Sequence, residues 1–256
     1  MPKRKYAQIE NKNAILEILE EGKDFEKIYL ANNAFKDPKT KKIMQIANAR
    51  GIPVEKIARR SITRRSKTSS AESVIALMEI DNQVTIDDML QGIYAKDQDP
   101  FILVFSDVRY GHNIGAIFRT AFAAGVNGVI TPVEKANLLS DETIRISMGT
   151  CLRIPIAEMS LFAALKELQR NAIEVVSLDM EGESLFEANL TGPKALVLGA
   201  EDIGVSPKLL ERSDRRVKVP MHPGLGALNV GVSAAVVMYE KYRQDTTLAR
   251  KQKITE

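Results

Sequence analysis

Three predicted strands of the chain are each followed by residues of the types that enzymes use on polar substrates. Asn113 and Arg119 come after the run FILVFSDV, Gly199 and Glu201 after KALVL, and Asn229 after RRVKVP. An amide and a guanidinium orient a substrate or stabilise a developing negative charge, and a carboxylate accepts a proton. If the fold brings the three places together, they predict one site for a polar ligand.

The first place has the pattern of a strand-to-helix turn. Asn113 is a candidate N-cap of the helix that follows, and Gly115 lets a ligand or another backbone come close. Arg119 lies six residues beyond Asn113, which is nearly two helical turns. The spacing therefore predicts that both side chains face one ligand, while helix capping alone is the alternative explanation of Asn113.

The other two places are rich in glycine. Gly199 and Gly204 flank Glu201, a pattern that predicts a tight turn around a small ligand. Residues 219–231 hold three glycines and two prolines and lead into a helix of small residues. Neither a Walker loop nor the dinucleotide pattern Gly-x-Gly-x-x-Gly is present, so these turns do not indicate a nucleotide-binding protein of those classes.

The elements that must position these residues alternate between strand and helix patterns from residue 101 onwards. Such alternation predicts a mostly parallel α/β sheet, whose ligands bind beyond the carboxyl ends of the strands. A smaller α/β module precedes it, separated by a polar, acidic stretch that ends at Pro100. We predict a small basic domain over residues 1–82, a linker over 83–100 and the larger domain over 101–256.

Cations are concentrated in the first 80 residues. These hold 17 Lys/Arg and 10 Asp/Glu, a net charge of +7, whereas the whole chain carries +3. Between Lys56 and Ala71 six cations occur without an acidic residue, in a Ser/Thr-rich stretch that predicts a mobile loop. Clustered cations attract RNA phosphates, and a solvated basic surface is the alternative. The candidate RNA contacts are Arg59, Arg60, Arg64 and Arg65.

Composition excludes several other classes of protein. The chain has 256 residues, of which 45% are hydrophobic and 27% charged, as in a globular protein of one or two domains. Its start lacks the pattern of a secretory leader, and its most apolar stretch, residues 225–239, is too short to span a membrane. Cys151 has no partner for a disulfide, and with His112 and His222 it cannot form a zinc site. We expect a cytoplasmic protein without a metal ion.

In their order and spacing, the three places resemble the motifs of the SpoU (TrmH) family of the SPOUT class, which are RNA ribose 2′-O-methyltransferases. The motif Asn-x-Gly-Ala-Ile-x-Arg matches residues 113–119, and Gly-x-Glu-x-x-Gly-x-Ser matches residues 199–206. The third motif matches Pro-Met at 220–221 and Leu-Asn-Val at 228–230. Residues 10–80 resemble, mainly in the order of their elements, the small substrate-binding domain that many members carry.

This resemblance implies a C-terminal sheet with a deep trefoil knot that holds S-adenosyl-L-methionine. It also implies a homodimer with the final helix in its interface, and an RNA substrate. The added N-terminal domain favours ribosomal over transfer RNA. The implied cofactor contacts are Leu198, Gly199, Val219, Met221 and Leu228. The implied catalytic residues are Asn113, Arg119, Glu201 and Asn229.

Among the catalytic candidates, we give Arg119 a cationic role at the phosphate beside the target ribose. A guanidinium with a pKa above about 12 is a poor general base. Asn113 is expected to orient Arg119 and the hydroxyl, while Glu201 and Asn229 fix the loops. Glu201 is the second candidate for accepting the proton.

Four residues depart from the family pattern. Its serine before Leu-Asn is Ala227, its serine after Asn-Val is Gly231, and its Asp-Pro ahead of the first motif is replaced by Tyr110 and Gly111. Because two hydroxyls are missing, an inactive RNA-binding or ribosome-assembly relative on the same fold is an alternative, unless Ser233, His222 or water compensates. The other two alternatives are a tRNA-directed enzyme and a small-molecule α/β enzyme. The last helix has a small-residue face that suits a dimer interface or packing inside one chain: Gly231, Ala234 and Ala235.

Overall fold

The computed structural model describes residues 6–67, 72–133, 138–224 and 226–255. The chain forms two compact units. Unit 1 consists of Met1–Asp81 and Leu139–Leu152, and unit 2 of Asn82–Leu138 and Arg153–Glu256.

Unit 1 contains a four-stranded mixed sheet. Its strands are β1 (Tyr6–Ile9), β2 (Lys27–Ala31), β3 (Val54–Ile57) and β4 (Val74–Glu79). Their order is β1-β4-β2-β3; β2 and β3 are parallel and the other neighbours are antiparallel. The helices are α1 (Lys12–Glu20), α2 (Pro38–Ala49), α3 (Arg59–Arg65) and, from the second segment, α6 (Asp141–Ile146), with 3₁₀ turns at Ala34–Lys36 and Thr150–Leu152.

The basic stretch after β3 differs from the mobile loop that its composition predicted. Residues 59–65 form α3, because the fully buried Ile62 packs with Ala31, Ala34 and Ile75 and holds the helix against the sheet. One apolar residue in seven is enough to fix a short helix here. The remainder of the stretch, residues 68–71, lies outside the described residues.

Unit 2 contains a six-stranded sheet that is parallel throughout, so the predicted α/β class is confirmed. Its strands are β5 (Phe101–Phe105), β6 (Gly128–Thr131), β7 (Ile156–Glu158), β8 (Glu174–Ser184), β9 (Lys194–Leu198) and β10 (Arg215–Lys218). Its helices are α4 (Ile86–Tyr94), α5 (Gly111–Ala123), α7 (Leu161–Arg170), α8 (Pro207–Leu210) and α9 (Val230–Thr255).

The structure assigns two segments to other units than the predicted domain division does. Residues 83–100, predicted as a linker, contain α4, and the residues at 86, 89, 90 and 93 are buried in the core of unit 2. That spacing is the apolar stripe of a packed helix. Residues 139–152, predicted in the larger domain, belong to unit 1, where the Cβ position of Gly149 lies 3.5 Å from the side chains of Ile9 and Ile18.

The strand order of unit 2 places its site. In the order β10-β8-β9-β5-β6-β7, the chain leaves β5 toward β6 on one side and leaves β9 toward β10 on the other. Parallel sheets bind ligands at the carboxyl ends of strands where the connections diverge in this way. Asn113 follows β5 at the start of α5, and Glu201 lies in the loop after β9, so the fold brings two of the predicted places to one crevice.

In the described part of the chain, no helix is long and apolar enough to cross a membrane. Over the same residues, His, Cys, Asp and Glu side chains nowhere form a group of three that could hold a metal ion.

Candidate functional site

Asn113 is buried at the third position of α5, with only 4% of its surface exposed. The helix begins at Gly111, and Tyr110 occupies the N-cap position. The predicted capping role of Asn113 is therefore wrong. Its side chain instead bonds to two other loops of unit 2.

Three of the four predicted catalytic residues form a continuous hydrogen-bonded chain. The Nδ2 of Asn113 donates to Oε1 of Glu201 at 2.8 Å, and the Nδ2 of Asn229 donates to Oδ1 of Asn113 at 3.0 Å. Because both ends of the Asn113 amide are engaged, its orientation is fixed. The arrangement positions the Glu201 carboxylate relative to the start of α9.

Asn229 also caps α9. Its Oδ1 accepts from the backbone N–H groups of Gly231 at 2.9 Å and of Val232 at 3.4 Å, which satisfies donors that a helix start leaves unpaired. A Cβ added at Gly231 would lie 3.1 Å from this Oδ1. Glycine at this family serine position therefore leaves room for the cap.

The turn after β9 closes on itself. The backbone N–H of Ala200 donates to the carbonyl of Gly204 at 3.1 Å, and that of Gly204 to the carbonyl of Ala200 at 2.9 Å. Gly204 has a φ of +67°, in the left-handed region. A Cβ added at Gly199 would lie 2.0 Å from the carbonyl carbon of Gly204, so this position requires glycine for the turn itself.

A cavity of about 340 Å³ lies beside this turn. The middle of β8, the ends of β9 and β10 and the start of α9 contribute to its walls. Glu201 lines it, so the hydrogen-bonded chain reaches the cavity. All five predicted cofactor contacts line it as well: Leu198, Gly199, Val219, Met221 and Leu228.

Several lining residues lack a sequence signal. Asp179 and Met180 line the cavity because β8 continues through Ser184, well beyond the apolar run that predicted the strand. Asp202 also lines it, and Nη1 of Arg109 lies 3.8 Å from its carboxylate. The length of a strand beyond its buried part is set by pairing with its neighbour, which the sequence of β8 alone does not reveal.

The two positions at which the family pattern has serine have different surroundings. Ala227 lines the cavity, whereas Gly231 is not among its lining residues. Ser233, one turn into α9, does line it. His222, the other candidate for compensation, is exposed and its Nδ1 lies 3.0 Å from the carbonyl of Pro223.

Arg119 stands apart from this group. It is exposed on α5 and does not line the cavity. Six residues place it about 120° around the helix from Asn113, so the two side chains occupy different faces. That both contact one ligand stays a prediction.

The four candidate RNA contacts lie on α3, and all are exposed. Arg65 lies over the ring of Tyr29, with its guanidinium carbon 4.8 Å from the ring centroid. Nη1 of Arg59 donates to Oγ of Ser73 at 2.6 Å. Arg60 and Arg64 are one helical turn apart, so unit 1 presents them side by side.

Two of the three small residues on the predicted face of α9 have neighbours within the chain. Ala234 is fully buried, and the Cβ position of Gly231 is 3.9 Å from Ala116 on α5. The exposed apolar side chains of α9 lie elsewhere, at Val232, Tyr239, Tyr242 and Leu248.

Comparison with protein families assigns both parts of the chain. Residues 100–239 match the SpoU rRNA Methylase family, and residues 9–83 match the RNA 2′-O ribose methyltransferase substrate binding family. The first match covers more than half of the chain and includes the three motifs of unit 2.

Relatives and solved structures agree with these matches. The chain is 30% identical to the putative TrmH family tRNA/rRNA methyltransferase YacO of Bacillus subtilis over 91% of this chain and 94% of that protein. It is 34% identical to the 23S rRNA (guanosine-2′-O-)-methyltransferase RlmB of Haemophilus influenzae over 76% and 80%. It shares its fold with the SpoU methyltransferase AviRb of Streptomyces viridochromogenes, solved in complex with AdoMet, at a TM-score of 0.77, 22% identity and coverage of 93% and 90%.

Proposed function

The chain belongs to the SpoU rRNA methylase family, and we propose that it transfers a methyl group from S-adenosyl-L-methionine to a ribose 2′-hydroxyl of ribosomal RNA. The observation that carries the proposal is the hydrogen-bonded chain of Glu201, Asn113 and Asn229 at the wall of the cavity. A packed core does not require hydrogen-bonded polar side chains from three separate segments, whereas a site that orients a reacting hydroxyl does.

The residues of the cavity fit S-adenosyl-L-methionine. A volume of about 340 Å³ lies within the range of small-molecule sites. Leu198, Val219 and Leu228 supply an apolar surface for the adenine ring, and the turn at 199–204 offers backbone donors and acceptors to polar groups. Ser233 offers a hydroxyl in place of the one missing at Ala227. When bound, the cofactor supplies an electrophilic methyl group.

The residues of the chain then orient the ribose and receive its proton. The 2′-hydroxyl must approach the methyl carbon within about 3–3.5 Å and lose its proton. Glu201 Oε1 is held by Asn113, and the carboxylate has further acceptor capacity for that proton. Asn229 keeps the Asn113 amide turned toward Glu201. In this proposal Glu201 is the proton acceptor and Asn113 is its positioning residue.

Arg119 retains its cationic role. Its exposure on α5 allows contact with an RNA phosphate outside the cavity, where a guanidinium forms strong, paired hydrogen bonds. In unit 1, the exposed Arg59, Arg60, Arg64 and Arg65 are proposed to bind the RNA backbone.

Ribosomal RNA is the proposed substrate, with transfer RNA as the alternative. RlmB of Haemophilus influenzae, whose name specifies 23S rRNA, matches most of the chain, while the name of YacO leaves tRNA and rRNA open. The match of residues 9–83 to a substrate-binding family supports RNA recognition by unit 1.

Three finer features complete the proposal. We propose that the segments around 199–205 and 219–228, whose described residues contribute to one cavity, form the trefoil knot of the family. We also propose a homodimer through α9, because Val232, Tyr239 and Tyr242 lie within one stripe of that helix and are each about half exposed. The cytoplasm is the proposed compartment.

Mapping ribose methylation tests the function. RNA from a strain that lacks the gene is incubated with the purified protein and radiolabelled S-adenosyl-L-methionine. We expect label in 23S rRNA at one nucleotide that is unmethylated in the deletion strain. Label in tRNA alone would establish the tRNA-directed alternative, and RNA binding without any transfer would establish the inactive relative.

A further inference from the structure

We propose that Tyr110 and His112 form a stacking platform for a nucleobase of the RNA, at the rim of the cofactor cavity. This inference rests on the proposed function, because it assumes an RNA substrate. The two rings are stacked, with centroids 5.7 Å apart and 27° between their planes. Tyr110 is 57% exposed, and His112 is exposed as well. The exposed rings of such a pair can stack against a flat ligand.

The Tyr110 ring stacks on His112, and more than half of the Tyr110 surface is exposed. Among the described residues, no further aromatic ring or cation stacks on Tyr110. Bases of unpaired RNA stack on exposed aromatic side chains irrespective of sequence, because every base has a π face. A base on Tyr110 would extend the existing stack from two layers to three.

The residues around the pair place it beside the site. Arg109 lies 3.8 Å from Asp202, and Asn113 donates to Glu201 at 2.8 Å. Both partners are in the loop after β9 that lines the cavity. Since Tyr110 lies between Arg109 and Asn113 in the chain, a base on its ring would lie next to the place where a ribose must meet the methyl group.

The same face of α5 carries a cation. His112, Ala116 and Arg119 are spaced i, i+4 and i+7, and all three are exposed. This spacing forms one stripe along a helix, with about 10 Å between its ends. His112 in this stripe offers an aromatic surface to a base, and Arg119 offers a guanidinium to the phosphate backbone of the same RNA strand. Tyr110 and Gly111 stand where the family pattern has Asp-Pro, so the platform would be a property of this chain and not of the motif.

A fluorescent base tests the platform without methyl transfer. The probe is a short single-stranded RNA that carries 2-aminopurine, whose fluorescence falls when the base stacks. We expect the parent protein and Tyr110→Phe to quench it equally, because both keep the ring. Tyr110→Leu, which keeps an apolar side chain without a π face, should bind about tenfold more weakly and lose the quenching.

A matched control and the steady-state kinetics sharpen the result. Tyr94 is a 47% exposed tyrosine on α4 of the same unit, and Tyr94→Leu should behave as the parent. With 23S rRNA as substrate, Tyr110→Leu should raise KM about tenfold and change kcat less. Removal of Arg119 by Arg119→Ala should weaken RNA binding while the quenching of the bound probe persists.

The outcomes separate this inference from the proposed function. Equal quenching by Tyr110→Leu and Tyr110→Phe overturns the platform, as does an unchanged KM for 23S rRNA in Tyr110→Leu, even if methylation is confirmed. Quenching that requires the ring supports the platform even if no RNA is methylated. A change of sedimentation coefficient in Tyr110→Leu would assign the surface to a second copy of the chain and would also overturn it.

Discussion

The two units place their polar side chains in opposite ways. In unit 1, Arg60 and Arg64 project from a short helix and are exposed. In unit 2, Asn113 is 4% exposed and bonded on both sides, to Glu201 and to Asn229. Unit 1 therefore presents exposed cations, whereas unit 2 buries an amide that two hydrogen bonds hold in one orientation.

Exposed cations and a buried amide contribute differently to a reaction on RNA. Exposed cations gain affinity by releasing counterions, a gain that depends on their number and on salt more than on exact position. A buried amide between two partners is sensitive to the loss of either partner, because an unsatisfied buried group costs about 1–3 kcal/mol. A single substitution in the site of unit 2 should therefore have a large effect on activity. In unit 1, each substitution of a cation should have a small effect on RNA binding, and the effects should accumulate.

The largest effect is expected from the turn after β9. Gly199→Ala should abolish binding of S-adenosyl-L-methionine, because the added Cβ would lie 2.0 Å from the backbone of Gly204 and the turn would have to open. Calorimetric titration measures the loss, with circular dichroism to show an intact fold. The control is Gly226→Ala, a lining residue whose added Cβ meets nothing within 4 Å. Parent-like affinity of Gly199→Ala would contradict the role of the turn.

The next effect concerns the buried amide. Asn113→Ala should lower the single-turnover rate of methylation about 100-fold, since Glu201 and Asn229 both lose their partner. Cofactor affinity should change less, because Asn113 does not line the cavity. Thr120→Ala serves as control, two turns further along α5, where the hydroxyl donates to the carbonyl of Ala116 in the same helix. If Asn113→Ala were as fast as the parent, the hydrogen-bonded chain would have no catalytic part.

A smaller, graded effect is expected in unit 1. Replacing Arg59, Arg60, Arg64 and Arg65 with Ala should weaken RNA binding and reduce the slope of log K against log salt by about 3, at 0.7–0.9 per phosphate contact. Cofactor binding should stay unchanged. The control variant has the same change in net charge but loses four exposed cations of unit 2. These are Lys166, Arg170, Lys208 and Arg212. If both variants have the same salt dependence, α3 is only a solvated surface.

The parts of the fold that the sequence predicts are those with continuous local signals. β5 and β9 are buried along their whole length, so their apolar runs identify them as central parallel strands. Glycine directly after such a strand then predicted the turn at Gly199. The cofactor contacts followed from the family resemblance, and the structure gathers them around one cavity.

The parts that the sequence misses depend on contacts between distant segments. Local capping chemistry favoured Asn113 as a helix cap, but hydrogen bonds to Glu201 and Asn229, far along the chain, decide its orientation. Residues 139–152 belong to unit 1 although unit 2 precedes and follows them in the chain, and no local pattern records this. For α3, the single buried Ile62 outweighs a composition typical of loops.

The smallest effect tests whether the two units respond to the cofactor separately, with Cys151 as a natural reporter. Cys151 lies in the second segment of unit 1, and burial raises the pKa of its thiol to about 12. Since the thiolate is the reactive form, the folded protein should resist alkylation at pH 8. Labelling should begin only when denaturant opens unit 1. Fast labelling without denaturant would contradict the burial of this residue.

Added S-adenosyl-L-methionine should leave the labelling midpoint of Cys151 nearly unchanged. A ligand at 100 times its Kd stabilises the unit that binds it by about 2.7 kcal/mol, and its proposed contacts all lie in unit 2. The matched reporter combines Cys151→Ala with Ala195→Cys on the buried strand β9, and its midpoint should rise with the cofactor. If the cofactor raised the labelling midpoint of both reporters, the two units would unfold together. The units would then differ in function, as argued above, but not in their response of stability to the cofactor.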